Sequence, residues 1–393
     1  MDTRPDIASD KSSLDAALEI KLFHKSEDLL HIAPAWEDLA SRCNRGFSFF
    51  QKPHWVRAWL EGFGPKEITL VTAWRGESLV LLIALMPGKN ILARQLICAT
   101  YPEAGYGSIL VSDEEDQTDL IQRALKFIAT ESVADLVTFH ALPSQTTWLT
   151  APGGSTGIAT PHLRSSAAAY AAMIEVDAYC GFEPHPRTGE RRSHKNIRKK
   201  RRKLEREGAV SLEKIDRKHT LSPTIMSTMH GWKLDWLDQR GLAGGVVRSE
   251  PFITFVDTLM SPPKCVEEPP FCMALMQNGV PVAASLFLPD ENILHCYFTA
   301  FNPNHADCSP GLILILMIVD WMRGQHWDFY DFEGHPEPYK DKMATRRVTL
   351  VDASFPMTWR GNIQNQISRI PLRQTIKSGF YRLPKRIRQT ILR

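Results

Sequence analysis

Residues 308–334 read CSPGLILILMIVDWMRGQHWDFYDFEG, and this stretch decides the fold class. Ser309 is followed by Pro310 and a long apolar run, which is typical of a buried helix with a capping serine and a proline at its first position. We predict that helix over residues 309–325 and a strand over 327–334, where aromatic residues are enriched. A buried helix that leads directly into a strand indicates an α/β protein.

The residues before this stretch predict three strands. Asn278-Gly279 separates the runs FCMALMQ and VPVAASLFLP, and Asn-Gly suits the type I′ turn of a hairpin. A third run covers 293–302. The first half of the chain repeats this order of three strands, a helix and a strand, which predicts two copies of one α/β (α+β) unit, each a mixed, mostly antiparallel sheet flanked by helices. In the first copy these are strands 68–75, 78–86, 90–99 and 134–142 and helix 113–131.

Other elements surround and connect the two copies. The amino-terminal part predicts a strand over 17–23, a helix over 26–43 with a break near Pro34, and a helix over 53–63. Between the copies lie a Gly- and Ser-rich stretch, a strongly basic run and a helix over 222–241. We therefore predict that the segment between the copies is an insertion rather than part of either core.

The basic run of that insertion, RRSHKNIRKKRRKLEREG, covers residues 191–208. Ser193 is a candidate cap for a helix and Gly208 a candidate end. The apolar residues Ile197 and Leu204 are seven positions apart, so one narrow stripe can pack on the protein while the other faces stay in water. The run contains no aromatic residue and no recognition motif, so we do not expect specific DNA binding. A solvated helix face and an electrostatic attraction for an anionic acceptor both remain open.

Charge is divided unevenly along the 393 residues. The net charge is +3, but residues 187–206 alone carry eleven Lys or Arg against two acidic residues, and residues 360–393 carry nine with no acidic residue. The remainder is therefore strongly acidic, at −15. An acidic body with two basic segments differs from a uniformly basic nucleic-acid binder and indicates local contacts with an anion. The basic amphipathic tail, 359–393, could contact an anionic membrane surface.

Cysteine usage and the amino terminus bear on location and metals. The seven cysteines form no Cys-x-x-Cys pair, so we expect neither a disulfide framework nor a metal site. The first residues lack the apolar core of a signal peptide, and the longest aliphatic run, 312–319, is too short to span a membrane. These features predict a cytoplasmic protein, with peripheral contact at the inner membrane surface as an extension of that prediction.

Two neighbouring segments carry candidate functional residues. Where strand 293–302 ends and the apolar helix begins, free backbone N–H groups would face a phosphate. The candidate cofactor-binding residues of this segment are Phe301, Asn302, Cys308, Ser309, Pro310, Gly311 and Leu312. The strand over 327–334 ends in DFEGHPEPYK, and ligands of α/β proteins commonly bind at such strand ends. The candidate polar groups there are Asp331, Glu333, Tyr339 and Lys340.

Taken in order, these motifs resemble a known family. They look like those of the GNAT-fold acyltransferases of the CelD-like, or cellulose-biosynthesis-type, family, which are distantly related to the FemABX peptidyltransferases. The resemblance spans about residues 20–355 and is most specific in Ser309-Pro310-Gly311, Asp331-Phe332-x-Gly334 and Tyr339-Lys340. Its other motifs are Phe49-Phe50-Gln51 with Trp55, the basic helix ending in Leu204-Glu205-Arg206-Glu207-Gly208, and the helix with Trp232 and Trp236.

The resemblance implies two tandem GNAT-like units and an acyl-coenzyme A co-substrate, with no metal. The co-substrate would lie where strands 293–302 and 327–334 splay apart, and an amine or hydroxyl would attack the thioester directly. One departure weakens this expectation, because the glycine-rich phosphate loop of the family is reduced to Gly311 beside Pro310, which has no N–H. His295, Asp331 and Glu333 are the candidate bases by their chemistry, and the resemblance suggests that Lys340 neutralises negative charge.

Each candidate also has a structural interpretation. His295 on an apolar strand can be a hydrogen-bonded core residue. Asp331 and Lys340 can form a structural ion pair, and Ser309-Pro310-Gly311 can be an ordinary helix start. Trp232 and Trp236, four residues apart, can pack in a core or line an acceptor cleft together with Gly334.

Three functions follow from these observations. The first is acyl-coenzyme A-dependent N- or O-acyl transfer to a sugar, a glycan precursor or another small acceptor. The second is a FemABX-like ligase that takes its acyl group from aminoacyl-tRNA, with RNA phosphates bound by the basic helix. The third is a non-catalytic scaffold in polysaccharide biosynthesis. The predicted domains are a disordered start, 1–15; an amino-terminal GNAT-like domain, 16–176; the helical insertion, 177–248; a carboxy-terminal GNAT domain, 249–358; and the tail, 359–393.

Overall fold

The computed structural model describes most of the chain between residues 17 and 368. The described ranges are 17–24, 26–43, 47–64, 67–90, 92–150, 161–179, 181–183, 194–263, 266, 268–334 and 337–368. Ser193, the predicted disordered start and most of the predicted basic tail therefore lie outside the described residues.

The strands and helices include the predicted ones in the predicted order, but the sequence did not predict two strands and three helices, namely β5, β13, α4, α7 and α9 in the lists that follow. The strands are β1 (Leu18–Phe23), β2 (Thr69–Arg75), β3 (Ser78–Pro87), β4 (Gln95–Cys98), β5 (Leu110–Val111), β6 (Leu136–Pro143), β7 (His162–Glu175), β8 (Val210–Ile215), β9 (Phe271–Gln277), β10 (Val280–Asp290), β11 (Ile293–Phe301), β12 (Phe329–Asp331) and β13 (Arg346–Pro356). The α-helices are α1 (Ser26–Arg42), α2 (Pro53–Phe63), α3 (Gln117–Thr130), α4 (Thr147–Thr150), α5 (Lys195–Arg206), α6 (Ser222–Arg240), α7 (Glu250–Leu259), α8 (Pro310–Met322), α9 (Pro338–Met343) and α10 (Trp359–Ser368).

The described residues fall into two compact units. Unit 1 takes those up to residue 56, 65–167 and 349–369, and unit 2 takes 57–64 and 168–348. The unit bounds fall inside strands β7 and β13 rather than at the predicted domain bounds, which stay a prediction.

Unit 1 is built on a mixed sheet in the order β1-β2-β3-β4-β6-β13, with β5 beside β3. Its neighbours are antiparallel except for β4 and β6, which are parallel. Gly76, at φ +59°, lies in the tight turn that joins β2 to β3, as the sequence predicts. The apolar side of α3 packs on this sheet through Leu120, Ala124 and Ile128.

Unit 2 contains a sheet in the order β7-β12-β11-β10-β9-β8. Only β11 and β12 are parallel in this set. Asn278 and Gly279, at φ +51° and +77°, form the turn between β9 and β10, which confirms the predicted hairpin, since a type I′ turn needs positive φ at both positions. The helix α8 is buried on nearly every side in the core of this unit, as its uninterrupted apolar run predicts.

The predicted fold class is therefore confirmed. Each unit has a mixed, mostly antiparallel sheet with helices. The order of three strands, a helix and a strand recurs as β2-β3-β4-α3-β6 and as β9-β10-β11-α8-β12, except that the first copy has the two-residue strand β5 between β4 and α3. In both copies the third strand pairs in parallel with the strand that follows the helix.

Several local predictions are wrong in instructive ways. Helix α1 continues through Pro34, which is exposed, so water can satisfy the carbonyl group that the proline leaves without a donor. Helix α3 begins only at Gln117, because the Asp116 carboxylate accepts the Asp119 N–H and caps it there. Ser309 precedes α8 in the left-handed conformation, φ +50° and ψ +56°, and its side chain makes no cap hydrogen bond.

The remaining observations concern the ends of strands and helices and the search for membrane-spanning helices and metal-binding groups. Strands β4 and β12 cover only Gln95–Cys98 and Phe329–Asp331 rather than the predicted 90–99 and 327–334. Helix α5 ends at Arg206 with Glu207 as its cap residue, one position before Gly208. Across the described ranges, no helix is long and apolar enough to cross a membrane, and no group of three or more His, Cys, Asp or Glu side chains is arranged to hold a metal ion.

Candidate active site

Strands β11 and β12 of unit 2 pair over three residues and then separate. The parallel register runs from Ile293 opposite Phe329 to His295 opposite Asp331. Beyond that point β11 continues to Phe301, whereas the Phe332 N–H donates to the carbonyl of Ala172 on β7. The two strands therefore diverge, which is the splayed arrangement that the resemblance implies.

A bulge in β11 lies directly after this point. Leu286 of β10 is opposite Phe298, and the next residue, Phe287, is opposite Cys296, so Tyr297 is an extra residue on β11. A bulge bends the strand and leaves backbone groups of the extra residue outside the regular ladder. Nothing in the sequence predicted this bulge, because it depends on the register between two strands.

His295 lies at the last paired position and is fully buried between two carboxylates. Its Nδ1 is 2.7 Å from Asp331 Oδ2, and its Nε2 is 3.7 Å from Asp290 Oδ2. Burial by itself lowers the pKa of His295, but hydrogen bonding and attraction from Asp290 and Asp331 outweigh it and raise the pKa to about 9. A buried imidazole that already carries its proton cannot accept another one. The structural interpretation of His295 as a core residue therefore fits better than the catalytic one.

Glu333 is the candidate base that the structure places best. It follows β12 with φ +57°, a conformation that is uncommon for a residue other than glycine. The Asp331 Oδ1 accepts the Glu333 N–H at 2.8 Å and holds the backbone there. Burial, and then the negative charge of Asp331, raise the pKa of Glu333 to about 8, although His295 and Lys340 oppose the shift. Its Oε1 is buried and has no hydrogen-bond partner among the residues that the structure describes.

Lys340 and Tyr339 lie on the short helix α9. The Lys340 Nζ donates to the carbonyl of Phe332 at 2.9 Å and lies 3.5 Å from that of Gly334. The side chain of Lys340 is buried, and the ring of Tyr339 packs edge-on against Phe332. Lys340 therefore fixes the loop that carries Glu333. These residues lie within one short segment of the chain, so the sequence alone grouped them correctly.

The start of α8 has a basic neighbour that sequence reasoning missed. The Leu312 and Ile313 N–H groups donate to the Ser309 carbonyl, at 3.0 and 3.3 Å. The Lys200 Nζ on α5 donates to the Ser309 hydroxyl. Among the residues that the structure describes, a Cβ at Gly311 would have only Phe301 within 4 Å, at 4.0 Å, so the described residues leave the space over Gly311 open. The high charge of the basic run was the only sequence signal for Lys200.

The other predicted cofactor-binding residues lie around this start. Asn302 accepts the Asn304 N–H with its side chain, and Cys308 is buried in the unit 2 core. Near the end of β11, the Lys233 Nζ of α6 is 3.4 Å from the Thr299 carbonyl and 4.9 Å from the centre of the Trp236 ring. Burial lowers the pKa of Lys233.

The two predicted tryptophans are half-buried on α6. Two cations lie close to the Trp236 ring: the Lys233 Nζ is 4.9 Å and the Arg240 guanidinium 4.6 Å from the ring centre. These two cations compete with a sugar ring for contact with Trp236. Trp232 keeps its role as a candidate acceptor contact.

A polar chain on β10 and β11 was also missed. The Thr299 hydroxyl is 3.1 Å from the Cys296 Sγ and 2.9 Å from the Ser285 Oγ. Burial raises the pKa of the Cys296 thiol. Because these residues come from two strands, only the register of the sheet brings them together beside the divergence of β11 and β12.

The comparisons with known proteins agree with this geometry. Residues 191–341 match the acetyltransferase (GNAT) domain family. This range includes Glu333, Tyr339 and Lys340, the candidate site residues that follow β12. The chain contains a GNAT-fold acetyltransferase domain. The matched range includes the basic helix α5 as well as α8 and β12. The narrower CelD-like grouping stays a prediction.

Solved structures show the same fold at low sequence identity. FemX is 10% identical, with a TM-score of 0.55, over 88% of this chain and 99% of the FemX chain. A second structure is the C-terminal domain of a putative lysylphosphatidylglycerol synthetase from Agrobacterium fabrum. It is 14% identical, with a TM-score of 0.51, over 83% of this chain and 92% of that domain. No curated protein matches the sequence significantly.

Proposed function

We propose that the GNAT domain transfers an acyl group from acyl-coenzyme A to an amine or hydroxyl of a sugar, a glycan precursor or another small acceptor. The observation that carries this proposal is the divergence of β11 and β12 beside Glu333, whose buried Oε1 has no partner in the described part of the chain. The groove between diverging strands gives a thioester access to backbone groups of β11, and Glu333 lies at the end of β12 to accept a proton.

The reaction is a direct transfer in this proposal. The acceptor nitrogen or oxygen forms a bond to the thioester carbon and gives its proton to the Glu333 carboxylate. The carbon–sulfur bond breaks, and coenzyme A leaves as a thiolate that takes up this proton to become the free thiol. Beyond His295, β11 has no strand on its β12 side among the described pairings. We assign stabilisation of the oxyanion to backbone N–H groups on that side of β11. Asp331 and Lys340 act on Glu333 as positioning residues, since both hold the backbone around it.

The residues at the start of α8 fit the phosphates of coenzyme A, although not through a glycine-rich loop. Pro310 has no N–H, and those of Leu312 and Ile313 already bond to Ser309. The open space over Gly311 and the Lys200 ammonium beside Ser309 supply room and positive charge instead. Lys200 therefore compensates for the missing backbone donors.

Lys200→Gln is expected to raise the Kd for coenzyme A about tenfold, since a charge-assisted hydrogen bond is lost. Isothermal titration of both proteins with coenzyme A measures the change. Lys199→Gln, on the exposed side of the same helix turn, is the matched control and should bind as the wild type does. Equal affinities for all three proteins would exclude Lys200 from the phosphate site.

Lys340→Ala is expected to lower kcat/KM for transfer at least tenfold and to move its pH dependence upward. Lys340 fixes the loop of Glu333 and lowers the pKa of that carboxyl, so its loss raises the pKa of Glu333 further above 8. Steady-state rates between pH 6.5 and 9.5 show the shift. Lys342→Ala, an exposed neighbour, should keep both the rate and the profile. An unchanged profile for Lys340→Ala would contradict the positioning role.

A ligase that uses aminoacyl-tRNA is the second candidate, and the exposed cations of α5 favour it. A test of the proposed function incubates the protein with acetyl-coenzyme A and a panel of amino sugars and polyols, and follows release of the free thiol. A parallel reaction supplies charged tRNA. Thiol release that depends on an acceptor supports the acyl-coenzyme A enzyme. Transfer from tRNA alone supports the ligase, and the absence of both reactions supports a scaffold.

A further inference from the structure

Helix α5 presents two opposite faces of different chemistry. Leu204 is fully buried, and Ile197 packs partly buried on the same core. The Gln277 side chain donates to the Leu204 carbonyl at 2.8 Å, and Lys203 pairs with Asp307. The apolar stripe predicted from the sequence is therefore the docking face of α5 on unit 2.

The outer face carries a stripe of four exposed cations. Lys195, Lys199, Arg202 and Arg206 are spaced four, three and four residues apart, so they fall on one side of the helix, roughly opposite Ile197 and Leu204. None of the four has an ion pair or hydrogen bond in the described part of the chain, whereas Arg198, Lys200, Arg201 and Lys203 are engaged with neighbouring groups. The stripe extends over about 16 Å.

We propose that this stripe, Lys195, Lys199, Arg202 and Arg206, binds the phosphodiester backbone of a nucleic acid strand. A linear row of cations complements a linear row of phosphates, and the absence of aromatic residues from α5 removes the means of stacking on bases. Contacts of this kind position a strand without reading its sequence. The proposal rests on neither Glu333 nor coenzyme A, so it is independent of the proposed transfer reaction. It deepens the second candidate, the ligase, by naming the four cations that would contact the RNA backbone.

A lipid surface fits the same helix less well. Membrane-bound amphipathic helices insert an apolar face into the bilayer, but the apolar face of α5 is buried against the protein. Outside its two basic segments the chain carries a net charge of −15, so an extended anionic plane would repel much of the remaining surface. A narrow strand can contact the stripe alone.

The test measures how binding depends on salt. The Lys195→Gln/Lys199→Gln/Arg202→Gln/Arg206→Gln protein leaves the docking face and Lys200 intact. The matched control, Lys89→Gln/Lys126→Gln/Lys218→Gln/Lys342→Gln, removes the same charge from scattered exposed sites. Fluorescence anisotropy follows fluorescein-labelled 20-nucleotide single strands of RNA and DNA of one sequence between 50 and 200 mM salt. Circular dichroism verifies that the full-length variants are folded.

Wild type and control are expected to bind with the same slope of log K against log salt. The slope of the stripe variant should be smaller in magnitude by about 3, since it loses four phosphate contacts that each contribute about 0.7 to 0.9. Binding of both strands supports phosphodiester recognition, and binding of RNA alone identifies RNA as its source. Equal slopes for the stripe and control variants would overturn the proposal. So would the absence of nucleic acid binding together with stripe-dependent sedimentation on phosphatidylserine vesicles.

Discussion

Glu333→Gln is expected to lower kcat/KM for acyl transfer by about 10² to 10⁴-fold, the range that a positioned general base contributes. Burial and Asp331 raise the pKa of Glu333 to about 8, so the carboxyl is largely protonated at neutral pH and becomes an effective base as the pH rises through that value. For the wild type, kcat/KM should therefore rise through a pKa of about 8 and level off above it. In the glutamine variant this limb should be absent.

Rates measured with a saturating and a limiting acceptor concentration from pH 6 to pH 9.5 give both parameters. Glu337→Gln makes the same chemical change at an exposed position four residues away and should keep the wild-type profile. If Glu333→Gln retained both the rate and the limb near pH 8, the proton acceptor would have to be another group. Normal coenzyme A binding by Glu333→Gln would show that the lost activity reflects chemistry rather than folding.

The stability of the protein is expected to fall as the pH rises from about 6.5 to beyond 9. The folded-state pKa of His295 is about 9, above the ordinary value of 6.5, because Asp290 and Asp331 stabilise the charged ring. The contribution to the free energy of unfolding is therefore complete below pH 6.5 and is lost as the pH passes through 9. For a shift of this size the loss amounts to about 3 kcal/mol.

Urea unfolding at a series of pH values measures this contribution. His295→Gln should flatten the fall between pH 6.5 and 9, because no group at that position gains a proton on folding. His31→Gln, at an exposed position, serves as the control and should keep the wild-type dependence. A wild type whose stability is constant across that range would show that His295 is not charged in the folded protein.

Much of the fold followed from local signals in the sequence. The Asn278-Gly279 turn requires positive φ at two adjacent residues, and few other pairs tolerate it, so the hairpin was predictable. The helix α8 was predictable because its apolar run is long and follows a proline. Element ends were less predictable, since the length of β12 depends on where β11 and β7 stop pairing with it.

Within the candidate site too, some residues were predictable from the sequence and others were not. Glu333 and Lys340 were grouped correctly because they are separated by only seven positions. The contact of Lys200 with Ser309 joins residues 109 positions apart, and the bulge at Tyr297 depends on the register of β10 against β11. Sequence patterns report which face of an element is apolar, but they do not report which distant element covers that face.

By itself, the sequence determined the order of most strands and helices, the repeat of one α/β unit and the segment in which Glu333 is found. These follow from hydrophobic period, turn chemistry and short chain distances. Only the tertiary structure decided that His295 is enclosed by Asp290 and Asp331, and that α5 turns a row of four cations to solvent. Both depend on which surfaces pack together, and burial controls the charge of His295 and the exposure of α5.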